Sequence, residues 1–302
     1  MLVAASAGRR APWGGGGLHA DWPTVRGGPE RTGYSPESLP PPFRVDWIVH
    51  AGGQRMSSAL EPVVSDGRVF VATHRGNILA LDAASGRGLW RARLEGAILH
   101  SPAVARGIVV AASTAGVLAG VDAAAGTLRW STSTGRGGCS SSPLILESTV
   151  CIGTRAGELL GVHLEDGGIL WRRALGAPVR QTAAGSGRRV FVTAEDLRVW
   201  CVDAATGDVA WTSEQLEGQS ARDYFPVLAR AGDRTIVVVR TSPSSPMSER
   251  IARDRRALAR SAGLDDGDWK TLDAWTKRDG ARGRPELWAR EEEAIGRLFD
   301  EE

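Results

Sequence analysis

Polar and apolar positions along the middle of this chain alternate in short blocks. VFVAT (69–73) follows the turn SDGR (65–68), ILALD (78–82) follows HRGN (74–77), and LWRARL (89–94) follows AASG (83–86). Runs this short, bounded by Gly, Asp, Asn and Ser, predict strands, because a helix needs a longer run with apolar residues three and four apart. The whole order then repeats. ALDAASGRGLW (80–90), GVDAAAGTLRW (120–130), GVHLEDGGILW (161–171) and CVDAATGDVAW (201–211) end on Trp90, Trp130, Trp171 and Trp211, at intervals of 40, 41 and 40 residues. Gly86, Gly126, Gly167 and Gly207 keep the same step, as do Asp82, Asp122 and Asp203, with His163 in the third copy. A second phrase sits upstream in each unit: EPVV at 61, SPAV at 101, SPLI at 142, QTAA at 181 and FPVL at 225. Four short antiparallel strands in each unit predict an all-β fold, a β-propeller of four-stranded blades with WD40-like architecture. No unit holds a helix-length periodic run, which excludes a helical solenoid.

Each residue of the phrase has a physical reading. The Asp ends a strand, and its carboxylate accepts hydrogen bonds from turn N–H groups two or three residues on. The Gly takes a positive φ that a side chain would resist. The Trp opens the next strand, covers the gap to the neighbouring sheet and offers its indole N–H to a backbone carbonyl. His163 replaces the carboxylate with a weaker partner, so the third blade is expected to be the less regular one.

The phrase resembles the tryptophan-docking repeat of the pyrroloquinoline-quinone-type propellers. That family holds quinoprotein alcohol dehydrogenases and a non-catalytic lipoprotein of outer-membrane protein assembly. The family pattern, Ala-x-Asp-x-x-Thr-Gly-x-x-x-Trp, is met at 80–90 except for Ser85 and at 201–211 except for Cys201. The lead DWPTVRGGPERTGYSPESLPPPFRVDWIVHAGG (21–53) also looks like the opening of secreted members. Its WIVHAGG parallels WRARLEG (90–96), which makes Trp47 a docking Trp on the outer strand of a blade completed from elsewhere.

This divides the chain into a lead with a closing strand (1–54), propeller blades (55–244) and a helical insertion or tail (245–302). After Trp211, YFPVLARAGDRTIVVVRTSP (224–243) supplies two strands of a fifth unit. A partial ring of about 4–5 blades is therefore expected. The tail predicts three helices: MSERIARDRRALARSA (247–262), GDWKTLDAWTKRDG (267–280) and RPELWAREEEAIGRLFDEE (284–302). Family rings are wider, so the chain reads either as part of a longer parent or as a short protein that closes by dimerising.

Composition narrows the chemistry. The 302 residues carry 37 Lys+Arg against 35 Asp+Glu, a formal net charge of +2, which gives no electrostatic reason to expect nucleic acid. Cys139, Cys151 and Cys201 form no metal or redox pair. The last two fall in apolar runs, and Cys139 lies in a loop with no His nearby in sequence to act as a base. The histidines His19, His50, His74, His100 and His163 show no metal-ligand spacing. LDDGDW (264–269) is too compact for a calcium loop, and Asp268 reads as a helix N-cap. The basic run RIARDRRALAR (250–260) reads as a solvated helix face.

No run is long and apolar enough to cross a bilayer. In MLVAASAGRR the apolar run precedes the arginines, the reverse of a secretory signal, and no early Cys offers a lipid anchor. A periplasmic or cell-envelope location is therefore implied by the resemblance alone. The expected function is a non-catalytic scaffold without cofactor or metal, binding a protein partner and self-associating through open blade faces. The alternatives are a degenerate or truncated quinoprotein (PQQ-dependent) alcohol dehydrogenase, whose family needs a quinone, Ca²⁺, a carboxylate base and a vicinal Cys pair, and a sensor of a small molecule or polysaccharide.

Overall fold

The structure, a computed structural model, describes residues 21–36, 54, 56, 60–135 and 137–216, together with strands 2–7, 43–49, 226–231 and 234–239. All regular structure among the described residues is β. Two compact units divide the chain, 1–241 and 242–302. The second, with the helices expected there, lies outside the described residues.

Four four-stranded antiparallel sheets follow in chain order. The first holds β3 (Val63–Ser65), β4 (Arg68–Ala72), β5 (Asn77–Asp82) and β6 (Gly88–Arg93). The second holds β7 (Ala103–Ala105), β8 (Ile108–Ala112), β9 (Val117–Asp122) and β10 (Leu128–Ser133). The third holds β11 (Leu144–Leu146), β12 (Thr149–Gly153), β13 (Glu158–His163) and β14 (Ile169–Ala174). The fourth holds β15 (Ala184–Ser186), β16 (Arg189–Thr193), β17 (Val199–Asp203) and β18 (Val209–Thr212). Two strand pairs flank them: β1 (Leu2–Ala7) with β2 (Phe43–Val49), and β19 (Pro226–Ala231) with β20 (Arg234–Val239). The opening residues, read from sequence only as a short apolar run, thus become a strand by pairing with the segment that carries Trp47.

The first strands of successive sheets are neighbours, β3 with β7, β7 with β11, β11 with β15 and β15 with β19, and together form an inner wall. The fourth strands are largely exposed. Between these extremes the middle strands are covered on both faces, as in β8 and β12, where all five residues are buried. Burial on both faces explains why they read as continuous apolar runs and not as alternating ones.

The core is a series of layers between sheets, three of which take a docked Trp. Phe70 and Ile78 of the first sheet meet Val109 and Val121 of the second, with Trp90 packed against them. Ile108 and Leu118 meet Ile152 and Leu160, with Trp130 in the layer. Leu144 and Leu159 meet Val190 and Val202, with Trp171. Leu228 of β19 joins Ala184, Phe191 and Cys201 of the fourth sheet.

The outer pairing is bulged at the same place in all four sheets, at Ala80/Leu81, Leu128/Trp130, Gly161/Val162 and Cys201/Val202. The hairpins between first and second strands use Asp66–Gly67 and Arg106–Gly107 at positive φ, the two-residue geometry that suits the twist of paired strands.

Candidate functional site

Two features carry the architecture: a ladder of docked tryptophans between sheets, and a segment lying against the inner wall.

The ladder begins before the first complete sheet. Trp47 Nε1 donates to the Ala83 carbonyl at 3.0 Å, Trp90 to Ala123 at 3.0 Å, Trp130 to Leu164 at 2.7 Å and Trp171 to Ala204 at 2.9 Å. Each ring also lies flat on a glycine of the next sheet. A Cβ built on Gly86, Gly126, Gly167 or Gly207 would meet the ring at 2.7, 2.6, 2.5 and 2.5 Å. All four glycines have φ between 70° and 74°. Trp211 differs: it is 44% exposed, and its ring lies 6.0 Å from Phe191 of its own sheet. Among the described residues it meets no following Asp–Gly turn, because β19 and β20 are not followed by a described third strand.

The carboxylates fold each turn onto itself. Asp82 Oδ1 accepts from Ser85 N (2.9 Å) and Ser85 Oγ, Asp122 Oδ1 from Ala124 N and Ala125 N, and Asp203 Oδ1 from Ala205 N and Thr206 N. The side-chain bonds from Ser85, Arg129 and Arg188 lead in holding the Asp82, Asp122 and Asp203 carboxyls below the usual carboxylate range. The third sheet keeps the same backbone despite His163. His163 N donates to the Gly168 carbonyl at 2.8 Å, as Asp82 N does to Arg87, and Gly167 N donates to His163. The expected irregularity is absent from the turn backbone, and a carboxylate, Asp166, stands where the first and fourth copies have Ser85 and Thr206. Its Oδ1 accepts from Gly168 N at 2.8 Å and lies 3.0 Å from His163 Nδ1.

Two further residues of the phrase matter. Gly120 and Gly161 are the cross-strand partners of Trp130 and Trp171, and a Cβ on either would enter the indole. Ala80 and Cys201 hold those places in the first and fourth sheets. Small residues ten positions before each Trp are visible in the sequence.

The glycines give a controlled test. Gly107 has φ +70° with open space around its Cβ position, whereas Gly167 has φ +74° beneath Trp130. Gly107→Ala should cost about 1–2 kcal/mol, the conformational penalty alone. Gly167→Ala adds overpacking and should cost about 2–5 kcal/mol in urea denaturation.

The second feature is the segment from Trp22 to Arg31, laid along the inner wall. Trp22 and Val64 exchange both backbone hydrogen bonds at 2.9 Å. Val104 N donates to the Pro23 carbonyl (2.7 Å), Gly185 N to Pro29 (2.8 Å) and Leu228 N to Glu30 (2.9 Å). Arg26 N donates to Glu61 Oε2 at 2.9 Å. At the end of the segment Arg31 is 1% exposed. Its Nε donates to Ala183 O (3.0 Å), its Nη1 to Val25 O (2.9 Å) and Thr24 Oγ1, and its Nη2 to Pro143 O (3.3 Å). Burial pushes this guanidinium down to about 9, against the pull of Glu61 and Glu30. One segment therefore ties together sheets that lie far apart in sequence. Arg26 and Arg31 hold φ of 57° and 60°, a backbone that only a surrounding structure maintains.

The remaining reactive groups are subdued. All three cysteines are free and buried, and burial leads in raising each thiol, Cys151 to about 12. Cys139 is paired with Thr154 in an isolated bridge. Among the described residues no three His, Cys, Asp or Glu gather as a metal site. LDDGDW and the basic run at 250–260 lie outside the described residues. The one fully buried charged side chain among the described residues, Arg31, spends its donors on the protein's own oxygens and offers none to a quinone carboxylate.

His100, between β6 and β7, sets an acid response. Burial, with Arg155 adding, pushes its imidazole down to about 4. The unfolded chain takes up this proton near pH 6.5 and the folded chain does not, so stability is full above pH ~6.5 and falls towards pH ~4. A loss of about 2–3 kcal/mol across that window is expected, flattened in His100→Gln.

The family model described as "Outer membrane protein assembly factor BamB" matches residues 44–178 and 137–262, together more than half of the chain. The chain belongs to this family. BamB of Moranella endobia (strain PCIT) is 25% identical over 185 residues, which cover 56% of this chain and 46% of the relative. BamB of Yersinia pestis is 28% identical over 188 residues, covering 57% and 47%. The chain thus spans about half the length of these curated relatives.

BamB from Moraxella catarrhalis has a similar structure, with TM-score 0.52 and 21% identity, covering 64% of this chain and 57% of its own. Quinohemoprotein alcohol dehydrogenase from Comamonas testosteroni gives 0.57 at 17% identity, covering 73% and 45%. A europium-containing methanol dehydrogenase gives 0.60 at 13% identity, covering 73% and 54%. These likenesses show the β-propeller fold that BamB shares with the quinoprotein dehydrogenases. No helix among the described residues is long and apolar enough to cross a membrane.

Proposed function

We propose that this BamB-family chain is a non-catalytic propeller scaffold of the bacterial cell envelope, which holds protein partners during outer-membrane protein assembly. The observation that carries this reading is the inner wall, where residues 22–31 and the Arg31 guanidinium take up the main-chain groups of four inner strands. A propeller that used its axis for a quinone would need that space and a cation site. The quinoprotein reading rests on likeness of fold alone, and fold does not fix function. We further propose β18, with Trp211, as a surface for self-association, which light scattering reads. Removing the protein from its parent bacterium should lower the level of folded outer-membrane β-barrel proteins, measured by their heat-modifiable mobility. Unchanged levels would contradict an assembly role.

A further inference from the structure

Two strand pairs in this molecule are complementary halves of a sheet. β1–β2 repeats the pairing of third and fourth strands. Trp47 is the cross-strand partner of Ala4, the next partners are Ala5 and Val45, and the register shifts between Ala4 and Ala5. The first sheet does the same: Trp90 partners Ala80, the next partners are Leu81 and Gly88, and the shift lies between Ala80 and Leu81. Ala4 thus holds the place of Ala80, and Trp47 docks on the following sheet as Trp90 does. β19–β20 is the opposite half. β19 neighbours β15 as β15 neighbours β11, which makes it a first strand, and β20 pairs with it as a second. Among the described residues each half stands as a two-stranded sheet.

The free edges are of the interior kind. In a complete sheet the second strand pairs with the third, as β4 does with β5. Among the described residues β20 has no third strand beside it and β1 no second. Both are six residues long. β1 (LVAASA) has no charged residue, β20 (RTIVVV) has one only at its start, and neither has a Pro. The outer strands of the first three sheets, by contrast, carry Arg91 and Arg93, Arg129, and Arg172 and Arg173. Charged side chains keep an edge strand from pairing, and a strand bare of them is a template for another chain. A second copy of this chain offers both missing halves at once. The chain spans about half the length of its curated relatives, so two copies carry about one relative's length. Two identical junctions about a two-fold axis leave no half-sheet over.

We propose that β20 of one copy pairs antiparallel with β1 of a second copy, and the reverse. Each junction is then a four-stranded sheet, β19 and β20 from one copy followed by β1 and β2 from the other. The proposal rests on the self-association proposed above and names the strands that make it. Leu228 of β19 packs with Phe191, whose ring lies beside that of Trp211, so the completed sheet stands next to the exposed Trp211.

Light scattering on the full chain should give twice the 32.0 kDa of one copy. End-to-end antiparallel overlap of the two strands sets Ala4 opposite Val237. Ala4→Cys and Val237→Cys copies, co-expressed with different tags, should therefore be joined by a short bismaleimide. Neither variant should join to itself, because its two substituted residues lie at opposite junctions. Cys139, Cys151 and Cys201 are buried and stay silent. A mass of one copy overturns the proposal, and the self-association with it. A dimer without the mixed cross-link overturns the strand pairing and leaves self-association through Trp211 standing. An Ala4→Cys/Val237→Cys chain that cross-links within itself at the mass of one copy also overturns it, since the two halves then meet in one molecule. None of these results bears on the assembly role, which the level of folded barrel proteins reads separately.

Discussion

Replacing Arg31 with Ala is expected to lower the stability of the chain by about 3–5 kcal/mol, the range for breaking a buried charged network. Truncation relieves the cost of burying the charge, which is visible in a guanidinium pushed down to about 9. It also strands the carbonyls of Pro143, Ala183 and Val25 away from any donor and leaves a void at the meeting point of the third and fourth sheets. Unsatisfied buried acceptors and lost packing together outweigh the relief. Arg31→Met, which refills the void but restores no donor, should recover only part of the loss. Urea denaturation measures both variants, and a midpoint for Arg31→Ala equal to that of the unchanged chain would remove the segment from its structural role.

Trp130→Ala is expected to cost about 3–5 kcal/mol, as for a large buried aromatic. Trp130 is 7% exposed, rests on Gly167, covers Gly120 and donates to Leu164 O. Trp211→Ala, at the same place in the repeat, should cost under about 1 kcal/mol, because its ring is half in solvent and meets chiefly Phe191. The same substitution at two equivalent positions thus separates the docking contact from the intrinsic value of a Trp in an outer strand. Equal losses at the two positions would mean that the interface between sheets does not depend on docking.

The contrast between Trp130 and Trp211 also shows what a repeat makes legible. Strand order, turn positions and the partners of Asp82, Asp122 and Asp203 are local, and each copy restates them, so spacing alone reveals them. The third copy breaks the spelling at His163 but keeps the turn backbone, and Asp166, at the place of Ser85 and Thr206, accepts from Gly168 N and lies 3.0 Å from His163 Nδ1. Docking depends on the following sheet as well, so the phrase at 201–211 looks like the others while Trp211 is left open.

Arg31 was not legible at all. It lies in RGGPERTGYS, where Gly and Pro erase any period, and its acceptors at Pro143 and Ala183 are backbone carbonyls 112 and 152 residues away. Backbone acceptors leave no mark in a sequence. The same holds for β1, which is a strand through its pairing with Phe43–Val49.

The central claim is that residues 22–31 brace the inner strands and that the chain acts, as proposed, as a scaffold and not through quinone chemistry. Equilibrium titration of the intact chain with pyrroloquinoline quinone and Ca²⁺, followed by dye-linked alcohol oxidation, tests it most directly. The account predicts no saturable binding and no turnover above the protein-free control. Stoichiometric quinone binding with calcium-dependent oxidation of an alcohol would contradict it.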